Sequence, residues 1–239
     1  MRKQAKDYIV FPLDVSTAEE AAYYARLLSG RVGMFKIGLE LFIAEGRAVL
    51  DAVRQEGGAG IFLDLKLHDI PATVGRAMEQ IAGWKAAFAT VHCGESRAML
   101  DAAVKSADKK TGVLGVTVLT SVSGDDLAAA GLDRAYAEDP GALVLKRAQM
   151  AYDAGCAGVV CSGRETALIK EKFGPEFVTM VPGIRPGWAV DADDQKRVVT
   201  PAEAVKNGAD YLVIGRPIRD AGDPADAAEM IAGEIEEII

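Results

Sequence analysis

The chain is poor in several things, and each shortage narrows what it can be. It has three cysteines, Cys93, Cys156 and Cys161, in 239 residues. An odd number with no CxxC spacing argues against a disulfide framework or a cysteine-rich zinc module, and predicts buried thiols in a reducing compartment. It has two histidines, His68 and His92, and neither joins a carboxylate cluster at metal-ligand spacing. It has no extended basic stretch, and its net charge is −8. That composition predicts no nucleic-acid partner. No apolar run reaches the length of a membrane span, and the charged segment Met1–Asp7 runs directly into a strand-like stretch with no signal-peptide core. The expectation is a soluble cytoplasmic protein with no membrane partner.

What the chain has in quantity is hydrophobic residues, half of the total, in short runs that alternate with Ala-rich amphipathic stretches. Strands are predicted at Tyr8–Val15, Met34–Leu41, Gly60–Leu67, Ala87–Cys93, Gly112–Leu119, Gly158–Cys161, Val178–Val181 and Tyr211–Ile214. Eight βα steps of about 30 residues each fill the chain. An α/β architecture of the (β/α)8 TIM-barrel type, one domain over residues 1–239, is the economical reading. A doubly wound open sheet would offer a glycine-rich turn after the first strand; Asp14-Val15-Ser16-Thr17 stands there instead. Helix starts are predicted at the capping boxes Ser16–Glu19 and Thr200–Glu203 and at Asp223-Pro224, and Gly30 can end the first helix. Two long connections, Ser121–Gly141 and Arg185–Thr200, follow strands and so belong to the C-terminal face; Asp125–Ala130 has the pattern of a short helix.

The chemistry concentrates in Ile61-Phe62-Leu63-Asp64-Leu65-Lys66-Leu67-His68-Asp69-Ile70-Pro71. With a period of two, Phe62, Asp64 and Lys66 share the face opposite Ile61, Leu63, Leu65 and Leu67. The same alternation sends Asp14 inward from strand 1 and Lys36 inward from strand 2. Taken singly, Asp14 and Asp69 read as caps for the helices that follow them. Three adjacent strands that all bring charge to one mouth need another explanation, because inward charge is costly unless it is paired. At the other side of the mouth, strand 7 ends in Pro182-Gly183-Ile184-Arg185 and strand 8 in Ile214-Gly215-Arg216. Barrels often bind phosphate after these two strands; glycine admits close backbone approach, and arginine binds phosphate bidentately. Gln195 lies in the loop after strand 7. The two histidines are given no catalytic role.

These residues together resemble the orotidine 5′-phosphate decarboxylase family. Leu13-Asp14, Phe35-Lys36-Ile37-Gly38, the Asp64–Pro71 motif, Thr117–Ser121, Pro182–Pro186 and Ile214–Ile218 occur in the family's order over essentially the whole chain. The resemblance implies Lys66 as proton donor to C6 of the pyrimidine and Asp64 beside the departing carboxylate. It implies Lys36 as part of a Lys–Asp–Lys–Asp array and a ribose contact, and Asp14 on a ribose hydroxyl. Thr120 or Ser121 would hold the pyrimidine edge, and Arg185, Gln195, Gly215 and Arg216 the phosphate. Asp69, with Thr73 nearby, would complete the site of a second subunit, which implies a homodimer. No metal and no cofactor is expected. The wider superfamily supplies the rival expectation, a magnesium-dependent sugar-phosphate lyase or decarboxylase using Glu40 with Asp64. A non-catalytic phosphate-ligand binder is the rival from outside enzymology.

Overall fold

A computed structural model describes residues 3–189 and 199–239. Eight strands, β1 (Ile9–Pro12), β2 (Met34–Gly38), β3 (Gly60–Leu67), β4 (Phe88–His92), β5 (Gly112–Val116), β6 (Gly158–Val160), β7 (Val178–Pro182) and β8 (Tyr211–Val213), pair in parallel and in sequence order. β8 pairs back onto β1, through Ile9 with Leu212 and Val10 with Val213, so the sheet closes into the (β/α)8 barrel that the alternating pattern predicts.

Alternation along the strands sorts the apolar side chains into two layers. Ile9, Phe11, Leu13, Phe35, Ile37, Ile61 and Leu63 are buried outward, against the helices. Val10, Met34, Phe62, Leu114 and Met180 form a separate buried cluster inside the barrel, with Phe88, Val160, Val178, Tyr211 and Val213 packed around it. This plug fills the barrel axis and is the floor on which the C-terminal mouth is built.

The local signals hold at most helix ends and shift at some. Thr200 and Glu203 form the expected capping box with Pro201 in the first turn, and Asp223 caps Pro224–Glu236. In the first helix the cap lies one residue later than Ser16, and the Glu20 carboxylate accepts from the Ser16 amide instead of closing a reciprocal box. Thr17 is the N-cap of Ala18–Leu27 and accepts from the Glu20 amide at 3.2 Å, because the chain stays extended through Thr17. The second strand ends at Gly38, and Leu39–Glu45 is a helix rather than a strand tail. Leu39 and Glu40 are therefore helical residues at the barrel mouth. The connection from Ser121 to Gly141 carries two short helices, Gly124–Ala129 and Arg134–Glu138, before Pro140–Asp153 begins. The three cysteines are buried thiols, as expected. Among the described residues, no helix is long and apolar enough to cross a membrane.

Phe35 is fully buried between barrel and helices, where its ring excludes any side chain from Gly57. Phe35→Ala is expected to lower unfolding free energy by about 3–5 kcal/mol, read as a fall in the urea midpoint at unchanged slope.

Candidate active site

Four charged groups form a chain across the mouth, from β1 to β3. The Lys36 ammonium donates to Asp14 Oδ1 at 3.1 Å and lies 3.9 Å from Asp64 Oδ2. The Lys66 ammonium donates to that same Asp64 Oδ2 at 2.8 Å. The order is Asp14, Lys36, Asp64, Lys66, with sign alternating at every step. Each charge therefore has an opposite charge as neighbour, which offsets the cost of removing it from water. Lys36 and Asp64 are the most enclosed, each with a side chain only 12 % exposed.

Alternation puts Lys36, Asp64 and Lys66 on the inward face, and all three line cavities at the mouth, although the pairing beneath Lys66 is irregular. The pairing of β3 with β4 shifts between Leu63, opposite Ala89, and Leu67, opposite Val91. Three residues of β3 thus stand against Thr90 alone. Within this bulge Lys66 adopts φ 49°, in the left-handed region that residues with a side chain seldom enter. The period of two holds through Leu67, with Leu65 and Leu67 packed on the outer core, while the bulge sets the local backbone from which Lys66 reaches Asp64.

Beside this array is a cavity of ≈ 200 Å³. Its floor is the barrel plug at Phe62, Val160, Met180 and Val213; its walls include Lys36, Asp64, Lys66, Val118, Thr120, Ser121 and Pro182. Both candidate hydroxyls, Thr120 and Ser121, line it. Arg147, from Pro140–Asp153, donates to the Thr117 carbonyl at 2.7 Å and so braces the segment that carries them. A smaller cavity of ≈ 160 Å³ joins Asp14, Lys36, Asp64 and Lys66 to Glu40. Glu40 accepts from Ser16 Oγ at 3.0 Å. The Lys36 ammonium lies within 4 Å of both Asp14 and Asp64, which makes these carboxylates a poor cradle for a divalent cation beside Glu40.

Arg185 and Arg216 line a third cavity, of ≈ 230 Å³, with Trp188, Pro217 and Asp220. Arg185 is buried, and its Nη1 donates to the Ile184 carbonyl at 2.9 Å. Two glycines shape this side. Gly183 has φ 80°, and a Cβ on Gly215 would come within 2.8 Å of Pro12 Cγ. Gln195 lies outside the described residues. Asp69 and Thr73 line none of the three cavities. Asp69 is exposed, its Oδ1 accepting from the Ile70 amide at 2.6 Å, and it does not cap the following helix, whose N-cap is Ile70. Thr73 sits in the first turn of that helix, Pro71–Gly83.

Sequence reasoning passed over Thr90, although the alternation Phe88, Thr90, His92 along β4 would have marked it as inward. It passed over Arg147 too, and no sequence pattern marks that residue. His68 and His92 lie together, ring centroids 5.2 Å apart, with His68 Nε2 3.5 Å from Glu95 Oε1.

A closed barrel with paired ammonium and carboxylate groups over a cavity at its C-terminal mouth has the build of a barrel enzyme. The family model "Orotidine 5′-phosphate decarboxylase / HUMPS family" matches residues 7–231, and the chain belongs to that family. It is 55 % identical to an orotidine 5′-phosphate decarboxylase of Desulfosudis oleivorans over 236 residues, covering 98 % of this chain and 95 % of that protein. A counterpart in Pelobacter propionicus is 45 % identical, covering 98 % and 97 %. Among solved structures, orotidine 5′-phosphate decarboxylase from Lactobacillus acidophilus superposes with a TM-score of 0.81 at 33 % identity, covering 95 % of this chain and 98 % of that one.

Burial, followed by the positive charge of His68, Lys66 and Arg147, lowers the His92 pKa from its ordinary 6.5, with Asp64 opposing. As pH falls through 6.5, the unfolded chain gains a proton at this position before the folded chain does. His92 therefore withdraws stability on the acid side of 6.5 and contributes no pH dependence well above it. An NMR titration is expected to place its midpoint below 6.5, and His92→Asn to flatten the acid-side fall in stability measured by urea unfolding.

Proposed function

We propose that the protein decarboxylates orotidine 5′-monophosphate to uridine 5′-monophosphate and CO2 in pyrimidine biosynthesis, as one barrel domain acting in the cytoplasm without a metal or cofactor. The observation that carries this reading is the alternating Asp14–Lys36–Asp64–Lys66 chain beside a cavity with an apolar floor. Membership of the family supports it.

The chemistry demands such an array. When the bond from C6 to the carboxylate breaks, its electron pair stays on C6 in an orbital in the plane of the ring, where the π system cannot absorb it. An ammonium fixed next to C6 stabilises that charge as it develops and needs no reorganisation at that moment. Lys66 fills this role: its Nζ–H passes a proton to C6, CO2 leaves, and solvent restores the lysine. Asp64 lies beside the departing carboxylate and holds both lysines in place. Asp14 and Lys36 take the ribose hydroxyls, Thr120 and Ser121 the pyrimidine edge, and Arg185, Gln195, Gly215 and Arg216 the phosphate. Binding energy from the distant phosphate serves to order the charges around C6.

The test is the ultraviolet change of orotidine 5′-monophosphate on mixing with the protein, with and without EDTA. Conversion insensitive to the chelator is expected. Lys66→Ala should lose turnover by at least about a hundred- to a thousandfold while remaining folded, the scale seen when a charge-stabilising group is removed. Loss of activity in EDTA would instead favour the magnesium-dependent sugar-phosphate enzymes, with Glu40 and Asp64 as ligands.

The second part of the reading is a homodimer in which Asp69 and Thr73 complete the partner's site. Asp69 is exposed and lines none of the three cavities, and apolar side chains are exposed just after two adjacent strands: Leu39 and Ile43 on one helix face after β2, and Ile70, 65 % exposed, after β3. Exposed apolar residues of this kind suit a self-complementary contact. Mixing Lys66→Ala with Asp69→Ala is expected to restore roughly a quarter of wild-type activity, because random exchange in a two-fold dimer leaves one intact site in half the molecules. No recovery after verified subunit exchange would refute the shared site.

A further inference from the structure

Thr90 lies on β4, directly behind the two residues that the proposed mechanism uses most. It is 0 % exposed and is absent from the lining of the cavities at the mouth. Its hydroxyl nevertheless makes two contacts with the catalytic strand. It accepts from the Lys66 amide at 2.8 Å and donates to Asp64 Oδ1 at 3.0 Å.

Both contacts follow from the bulge. Because β3 slips against β4 between Leu63 and Leu67, the backbone ladder is interrupted along this stretch. The Thr90 hydroxyl takes the Lys66 amide where β4 would otherwise supply a carbonyl. Lys66 is thereby held at φ 49°, a conformation that a residue with a side chain keeps only when its surroundings impose it. A hydroxyl that accepts from an amide has its own proton left to give. Here that proton goes to Asp64 Oδ1, which leaves Oδ2 to receive Lys66 Nζ at 2.8 Å and Lys36 Nζ at 3.9 Å. A single hydroxyl thus orients the carboxylate and anchors the backbone of the lysine that this carboxylate holds.

We infer that Thr90 is a positioning residue for decarboxylation: its hydroxyl sets the rotamer of Asp64 and the backbone of Lys66, and so the place of the Lys66 ammonium relative to C6. This deepens the reading of Lys66 and Asp64 given above and rests on it. Thr90 touches neither substrate nor reacting atoms, so its effect belongs on the chemical step rather than on binding.

The test uses Thr90→Val, which keeps the shape and removes both hydrogen bonds, beside Thr90→Ser, which keeps the hydroxyl and removes the methyl. Thr90→Val is expected to lower kcat by about ten- to a hundredfold, the scale of an ångström misplacement in an organised site, with KM within about twofold of wild type. Thr90→Ser is expected to recover most of kcat. Folding of each variant is checked by circular dichroism and melting temperature. If Thr90→Val gives no folded protein, Thr90→Ala, which cannot clash, carries the same expected split. A kcat within about twofold of wild type in the folded variant lacking the hydroxyl would overturn the inference. So would a serine variant as impaired as the valine one, since packing would then explain the loss, or a loss confined to KM. Lys66→Ala is assayed in parallel to separate the two levels. An inactive Lys66→Ala with a fully active Thr90→Val rejects the role of Thr90 alone. An active Lys66→Ala rejects the role of Lys66, and this inference with it.

Discussion

The Asp64 carboxylate is the group on which the mouth of this barrel depends. One oxygen receives the Lys66 ammonium and lies within 4 Å of Lys36; the other receives the Thr90 hydroxyl. Two ammonium groups this close would repel each other strongly in an enclosed site, and a carboxylate between them turns that repulsion into attraction. The carboxylate in turn would be costly to enclose without partners. Removing Asp64 would leave Lys66 without its carboxylate and Lys36 with Asp14 alone, so the array is best regarded as one unit. In the proposed reaction, that interdependence holds a cation rigidly beside the carbon that becomes negative.

The barrel makes this possible by dividing its interior into two levels. Below, Val10, Met34, Phe62, Leu114 and Met180 fill the axis with apolar volume. Above, the next inward positions of β2, β3 and β4 are Lys36, Asp64 and Thr90. The plug gives the mouth an apolar floor, and Lys36 and Asp64, the most enclosed of the charges, stand directly above it. Parallel strands in sequence order bring β1, β2, β3 and β4 side by side, so residues far apart in the chain become neighbours at one height. The arginines after β7 and β8 line a separate cavity at the same end of the barrel.

Much of this was legible in the sequence, for reasons that can be stated residue by residue. Short apolar runs alternating with amphipathic stretches specify strand and helix because burial needs one period or the other. Pro201 behind Thr200, with Glu203 three residues beyond it, marks a helix start by satisfying orphan amides locally. Lys36 and Asp64 were readable as inward because an unbroken strand alternates strictly. Sequence logic slipped at the boundaries of elements and where strands pair. Thr17 displaced Ser16 as cap, Leu39 left the strand for a helix, and the path of Lys66 depends on a bulge that only pairing with β4 reveals.

The sequence alone determined the class of fold, the strands that carry charge and the chemical kinds gathered at the mouth, because hydrophobic period and residue type are properties of the chain itself. Only the tertiary structure decided which oxygen of Asp64 meets which lysine, that Lys66 sits in a left-handed bulge, and that Thr90 on the neighbouring strand supports both. It also left Asp69 exposed and outside the lining of the cavities at the mouth. Those outcomes depend on register between strands and on contacts between distant segments, and a linear pattern carries no record of either.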